Sequence, residues 1–450
     1  MSTKDSIVKK LKQNRELLGG SSKLIIFRVG GMGLSYLFTL LVSRYYGSST
    51  LGLFAMMNVV LLISVLLTRG GMDILFLRQV SALMNKQDEA GIRSWYSGIV
   101  SKQLVVGSII SALLFFLAPW IAESIFDTPS MTNVLRMAAM VVLPLAINTL
   151  HSEGFRARKK LFPYIALSRG WHFALASVGV AFLWLTDVED PFYFFLVYFG
   201  AVLTTMLIGS FQWNQPKAFR FNKFDLSEWK STFQASTPML LASSMFLVMS
   251  WTDTFMLGVF ETPDQVGGYH VAVKISNLIT IVLFGINGIT APKLSSSFAA
   301  GDTKLFKQTV TSSASLSFLL SLPVILCIIF FRTELLGLFD EEMVFAGTAL
   351  ILLSIGQFVN GSSGSVMNIL QMTNNQVTGQ NILLVAGALN IVLNYLLIPR
   401  YGIEGAAMST AFSTVFWNLA SVVAVRIKLK VWSIPFSYKF RSGIRYLLGR

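Results

Sequence analysis

Charge is scarce in this chain. Only 13% of its 450 residues are Asp, Glu, Lys or Arg, against about 25% in an average soluble domain. The missing charge is not replaced by Pro, Gly or polar repeats, since 54% of the residues are apolar, and that composition excludes a disordered chain. The single cysteine, Cys327, lies in an apolar run and excludes an intramolecular disulfide. With three histidines and no His/Cys cluster at ligand spacing, no metal site is expected. No glycine-rich phosphate loop ending in Lys-Ser or Lys-Thr occurs, which excludes a built-in ATPase. No cofactor is expected. The chain also lacks a large loop with paired carboxylates, which argues against a membrane glycosyltransferase or ligase.

What is present is apolar sequence spread along the whole length, with a mean hydropathy of +0.63. A bilayer core of about 30 Å requires about 20 apolar residues per helix. That window selects twelve segments, near 24–45, 51–69, 98–121, 131–150, 163–186, 192–213, 236–258, 268–291, 310–331, 344–370, 379–398 and 404–425. The runs are too long for barrel strands, so the chain is read as an all-α multi-pass membrane protein.

The charges test this map independently. The excess of 36 Lys and Arg over 22 Asp and Glu would suggest nucleic acid in a soluble protein; here it follows topology, because cytoplasmic loops accumulate cations. With the amino terminus inside, only Arg44, Arg332 and Arg400 fall on outer segments. Arg28, Arg136, Arg169 and Lys274 lie within spans, and every other cation sits at the inner side. The outer loops are acidic, with Glu123, Asp127, Asp187, Glu189, Asp190, Glu261, Asp264 and the run Asp340 to Glu342. Both termini are therefore expected in the cytoplasm.

The expected organisation is a basic lead at 1–23, a six-helix lobe at 24–213, an amphipathic linker at 214–235, a second six-helix lobe at 236–425 and a basic tail at 426–450. A weak internal repeat supports the two lobes: Gly52 and Gly267 are 215 residues apart, close to the spacing between the starts of spans 1 and 7. The inner segments 70–97 and 214–235 read as interfacial helices. The tail, with Trp432 and Tyr446 among its cations, reads as attracted to anionic lipid.

Several stretches have a familiar look. LNIVLNYLLIPRYGIEGAAMSTAF (Leu389 to Phe412), DTFMLGVFETPDQVGGYHVAVK (Asp253 to Lys274), SRYYGSSTLGLF and LLTRGGMDILFLRQ resemble the polysaccharide transporter family of the multidrug/oligosaccharidyl-lipid/polysaccharide exporter superfamily. The resemblance implies a flippase in the bacterial cytoplasmic (inner) membrane. It would carry a polyprenyl-diphosphate-linked glycan from the cytoplasmic to the periplasmic leaflet, for O-antigen, capsule or a related polysaccharide. Membrane lipids, and the polymerase and glycosyltransferases of the same pathway, are the implied partners; nucleic acid is not. In PRYGIEGAA, Pro399 is expected to end one helix, and Gly405, Ala406 and Ala407 to let the next approach a neighbour.

Ionisable groups inside spans cost about 2.5–3.5 kcal/mol each on insertion scales and mark cavities. Four of the five here are cations, as a diphosphate-headed substrate requires. Arg28 and Arg169 are candidates for a central cationic cavity between the lobes, as are Arg136 and Lys274, with Arg44 at the outer end of span 1; Arg28 and Arg136 are also placed to snorkel. Asp253 and Lys274 lie at similar depth, roughly 8–9 Å below the outer surface, and are expected to form either a structural ion pair or an ion-coupling site. His172 reads as a hydrogen-bonded packing residue, His151 begins the basic stretch at the inner end of span 4, and Asn390 and Asn394, four apart on one helix face, read as interhelical hydrogen-bonding residues. The rival reading is an ion-coupled multidrug/cation antiporter of the same superfamily, with Asp253 as the coupling carboxylate.

Overall fold

The computed structural model describes the backbone of residues 3–213 and 226–437. It describes the side chains of 29–168, 170–213 and 227–437, except 242, 243, 245–247 and 249. Every described element is helical. In chain order these are α1 (Thr3–Arg69), α2 (Met72–Asn85), α3 (Glu89–Trp120), α4 (Met131–Ala157), α5 (Leu161–Ile165), α6 (Trp171–Leu185) and α7 (Pro191–Trp213). The second half holds α8 (Leu226–Phe260), α9 (Pro263–Ala299), α10 (Thr303–Phe330), α11 (Arg332–Gly337), α12 (Gly347–Ser362), α13 (Val366–Met372) and α14 (Gln376–Leu429). Among the described residues eight helices are long and apolar enough to cross a membrane, and a pair bent by 51° around residues 168–171 is a ninth.

The twelve apolar windows fall on helix, the window 344–370 being broken at 363–365 between α12 and α13. Two pairs of windows share one continuous helix that kinks at a glycine of positive φ, Gly47 (φ 78°) in α1 and Gly402 (φ 54°) in α14. We call the limbs α1a (3–46), α1b (48–69), α14a (376–401) and α14b (403–429). A positive φ is open to glycine without steric penalty, so the polypeptide reverses there. Pro399 does not end its helix, contrary to the expectation from sequence. The limb runs through it, and the break comes at Gly402. Gly405 has the predicted close approach, since a Cβ there would overlap the carbonyl of Leu397.

Two inner segments differ from their sequence reading. Within 70–97 only α2 is a separate helix. It buries Met72, Phe76 and Val80 in an inner cluster with Tyr96, Leu150, Phe155 and Trp213 instead of merely lying on the leaflet. Residues 226–235, read as linker, are the inner end of α8; 214–225 lie outside the described residues. The start of the tail is tied down as well, with Ser433 Oγ donating to the Ser363 carbonyl at 2.8 Å, while 438–450 lie outside the described residues.

The distribution of the core defines the shape. One apolar cluster runs through both halves, from Phe38, Phe54 and Phe194 to Tyr269, Leu350 and Ala406. The cation-rich end instead has two separate clusters. One is drawn from residues 72–213 and the other, centred on Leu294, Phe306, Ile369 and Val425, from 294–431. Among the described residues the halves therefore share one core towards the acidic end and keep separate cores, parted from each other, towards the basic end. By the positive-inside rule the parted end faces the cytoplasm. Among the described residues, the inner end of α8 crosses the gap. Phe233 leans on the first-half cluster, a Cβ on Gly71 would overlap the Ser236 carbonyl, and Lys102 Nζ donates to Glu228 Oε1 at 2.7 Å.

Candidate functional site

Asp253, near the outer end of α8, is 6% exposed. Tyr269 of α9 donates its hydroxyl to Oδ2 at 2.9 Å, and Asn394 of α14a donates Nδ2 to Oδ1 at 2.9 Å. Thr410 of α14b donates to Oδ2. Behind them, Asn390 accepts from Asn394 at 3.1 Å and donates to Thr410 at 3.2 Å. Four helix segments thus converge on one carboxylate with neutral groups only. A buried charge without a counter-ion is costly, so this site must hold either a proton or a cation. The amide and hydroxyl oxygens around it are ligands that suit a hard cation.

The expected Asp253–Lys274 ion pair is not formed. Neither residue belongs to any ion pair among the described residues. The two share a depth but not a helical phase. Tyr269, which binds Asp253, and Lys274 are five residues apart on α9, which at 100° per residue places them about 140° apart around the axis. Lys274 turns instead to α1a, where Nζ donates to the Ser35 carbonyl and Oγ, each at 2.9 Å, and to Thr39 Oγ1. Tyr36 lies beneath the ammonium, 5.6 Å from ring centroid to Nζ, and donates its hydroxyl to the Lys274 carbonyl. Lys274 is thus a cation held between the two halves.

Of the other candidates, Arg44 and Arg136 are not brought to it. Arg44 donates Nε to the Leu338 carbonyl at 2.6 Å and Nη2 to that of Gly337 at 3.0 Å, capping the C-terminus of α11, where a cation is favoured. It fastens the first half to the second at the outer end. Arg136 lies over the Phe115 ring, 5.5 Å from its centroid, on α3, beside the exposed Phe116 and Leu117. The side chains of Arg28 and Arg169 lie outside the described residues. His172 and His151 are buried; His151 Nε2 is 2.9 Å from the Tyr96 hydroxyl and His172 packs against Phe173. Sequence reasoning missed Tyr269 and Thr410. The available signal was Thr410, sixteen residues after Asn394, on the limb that folds back along it.

An apolar groove of about 290 Å³ runs between α1b and α3, lined by Ile63, Leu67, Leu113, Leu117, Ile125 and, from α8, Phe255. Phe255 is two residues from Asp253 and places the groove at the seam between the halves.

The family model described as "Polysaccharide biosynthesis protein" matches residues 17–298. The chain belongs to this polysaccharide biosynthesis protein family. A second model, MatE, matches residues 238–396. Among curated relatives, a probable low-salt glycan biosynthesis flippase of Haloferax volcanii, Agl15, is 24% identical over 88% of this chain and 81% of its own. A probable flippase of the same organism, AglR, is 30% identical over 39% of this chain and 37% of its own. Among solved structures, an inward-facing multidrug resistance MATE family transporter of the MOP superfamily superposes with a TM-score of 0.75. It has 12% identity and covers 90% of this chain and 98% of the other. The lipid II flippase MurJ, in an inward closed conformation, gives 0.73 at 12% identity over 96% and 90%. The fold of this family member is thus the one shared by MATE transporters and MurJ. Its relatives are named as flippases and transporters, and it is a multi-pass membrane protein, as the composition indicated.

Proposed function

We propose that this protein is a flippase that carries a polyprenyl-diphosphate-linked oligosaccharide from the cytoplasmic to the outer leaflet by alternating access. The observation that carries the reading is the split core, fused at the acidic end and parted at the basic end. A cavity open to the cytoplasm is where a substrate built on the inner leaflet would enter. Lys274 stands at the closed end as a donor for diphosphate oxygens, with Arg28 and Arg169 as further candidates by position. The apolar groove beside Phe255 suits an isoprenoid chain that stays in lipid while the polar head crosses. Asp253 supplies the coupling site: exchange of its proton or cation biases the equilibrium between inward and outward states.

The glycan class we favour is a surface polysaccharide repeat unit such as O-antigen or capsule, in a bacterial inner membrane. The Haloferax volcanii relatives bring archaeal glycans within the same chemistry. Reconstitution in vesicles with a fluorescent lipid-diphosphate oligosaccharide tests the reading, followed by an impermeant quencher. Faster leaflet equilibration than in empty vesicles, slowed by Lys274→Ala and by Asp253→Asn, is expected. No acceleration, together with Asp253-dependent expulsion of organic cations, would make the protein an antiporter, the reading that the MatE match favours.

A further inference from the structure

Outside the Asp253 site, the second half carries another set of carboxamides, and it differs in burial. Asn148, Asn390, Asn394 and Asn418 are buried. By contrast, Asn277 and Asn287 on α9, and Gln357 and Asn360 on α12, are all partly exposed. In a membrane protein that exposure has two destinations. A carboxamide facing hydrocarbon is costly, and the exposed surface of α3, for comparison, is Val105, Ile109, Leu113, Phe116 and Leu117. The amides therefore face water. Helix α9 packs on α10 and α12 within its own half and on α1 across the seam, the latter through Lys274. Asn277 follows Lys274 by three residues, on the inner side, where the halves begin to part. A Cβ on Gly285, three turns below Lys274 on the same face, would meet nothing within 4 Å. This face is the cavity wall.

Three of the amides are wired into a chain. Asn360 Nδ2 donates to Gln357 Oε1 at 3.2 Å, and Gln357 Nε2 donates to Asn277 Oδ1 at 3.1 Å. The chain fixes each amide plane and leaves a donor, Asn277 Nδ2, at one end and an acceptor, Asn360 Oδ1, at the other. Neither has a partner among the described residues. Further in, Asn287 Oδ1 accepts from Ser365, and its Nδ2 has no partner among the described residues either. Ten residues separate Asn277 and Asn287, about 15 Å along the helix, and Phe284, 39% exposed, lies between them on the same face as Asn277. Fixed, uncharged groups that donate and accept, beside an exposed aromatic ring, match the hydroxyls and C–H faces of sugars and offer nothing to a phosphate's charge.

We infer that Asn277, Gln357, Asn360 and Asn287 form the glycan-binding wall of the cavity, distinct from the cations that take the diphosphate. The inference rests on the flippase reading and adds a division of labour: α9 and α12 hold the neutral sugars below Lys274.

Binding to the purified full-length protein in nanodiscs, followed by intrinsic Trp fluorescence, tests it with two probes: polyprenyl diphosphate, and the same lipid bearing an N-acetylglucosamine disaccharide. Wild type is expected to bind the glycosylated lipid at least tenfold more tightly than the bare one. Asn277→Ala and the nearly isosteric Gln357→Leu are expected to erase that preference while leaving the affinity for bare lipid within twofold. Equal affinities in wild type, or variants that keep the preference, would overturn the sugar wall while the flippase reading stands. Failure of wild type to bind either lipid would overturn the flippase reading, and the wall with it. Unchanged elution and melting of the variants exclude misfolding as the cause.

Discussion

Gly52 and Gly267 lie against each other where α1b meets α9. A Cβ on Gly52 would overlap the carbonyl of Pro263; one on Gly267 would overlap that of Ser48 and lie 3.2 Å from the Gly52 nitrogen. Beside them Ser48 Oγ donates to Asp264 at 2.7 Å. The outer closure is thus a backbone-to-backbone contact between the two halves, and it needs both glycines.

Gly52→Ala and Gly267→Ala should each open it. Backbone on both sides leaves no flexible side chain to yield, so overpacking should cost the closed-outer state about 1–3 kcal/mol. That corresponds to a shift of about 5–150-fold towards the outward-open state. Spin labels at Glu189 and Glu341, on outer loops of opposite halves, should report longer distances by pulsed resonance. Unchanged distances in both variants would mean that the contact does not set the equilibrium.

At Asp253 the partners and the charge should separate experimentally. Thr410→Val removes a hydrogen bond to the Asp253 carboxyl, worth about 0.5–1.5 kcal/mol when the site holds a proton and about 1.5–3 when it holds a cation, and should lower the melting temperature. Asp253→Asn removes the one ionisable group of the site and should abolish the response of transport to an imposed ion gradient. Calorimetry and gradient-driven flipping are the two readouts. An Asp253→Asn protein that still responds to the gradient would remove Asp253 from the coupling step.

The apolar helices were legible because hydropathy is a local property. Helix pairing was not. Depth below the surface follows from residue count, and so Asp253 and Lys274 seemed matched. Their angular phase, however, directs Lys274 to Ser35, 239 positions away in sequence, and Asp253 to Asn394, 141 away. Arg44 was recognised as a charge at a span end, but its acceptors are carbonyls of a helix, α11, too short and too weakly patterned to anticipate. The Asn390–Asn394 spacing was legible as a shared face, without the carboxylate it serves.

Lys102 and Glu228 make the inner counterpart of the outer contact. The Lys102 side chain is 4% exposed, that of Glu228 48%, and the ammonium lies 6.0 Å from the Trp229 ring centroid. Glu228→Gln strands a buried cation. The loss should be about 1–2 kcal/mol, below the 3–5 of a fully buried pair because Glu228 reaches water. Lys102→Met removes the charge along with its desolvation penalty and should be neutral or stabilising. The double variant should therefore melt above Glu228→Gln alone; a double variant that melts lower would mean that the ammonium contributes through contacts other than Glu228.

Glu261, in the turn between α8 and α9, gives a pH dependence of definite sign. Partial burial, and then the charge of Glu404, push its carboxyl above the ordinary carboxylate range. A carboxyl whose pKa is raised on folding binds its proton more tightly in the folded state. Its neutral form is favoured there at low pH, and stability falls as pH rises from the unfolded value, about 4.3, through the raised one. Glu261→Gln keeps the neutral shape at every pH. The variant should match wild type below pH 4 and melt higher above the raised pKa, with the difference reaching a plateau. A difference that is constant with pH, or that grows on acidification, would show that the carboxylate's ionisation is not what sets the stability of this turn.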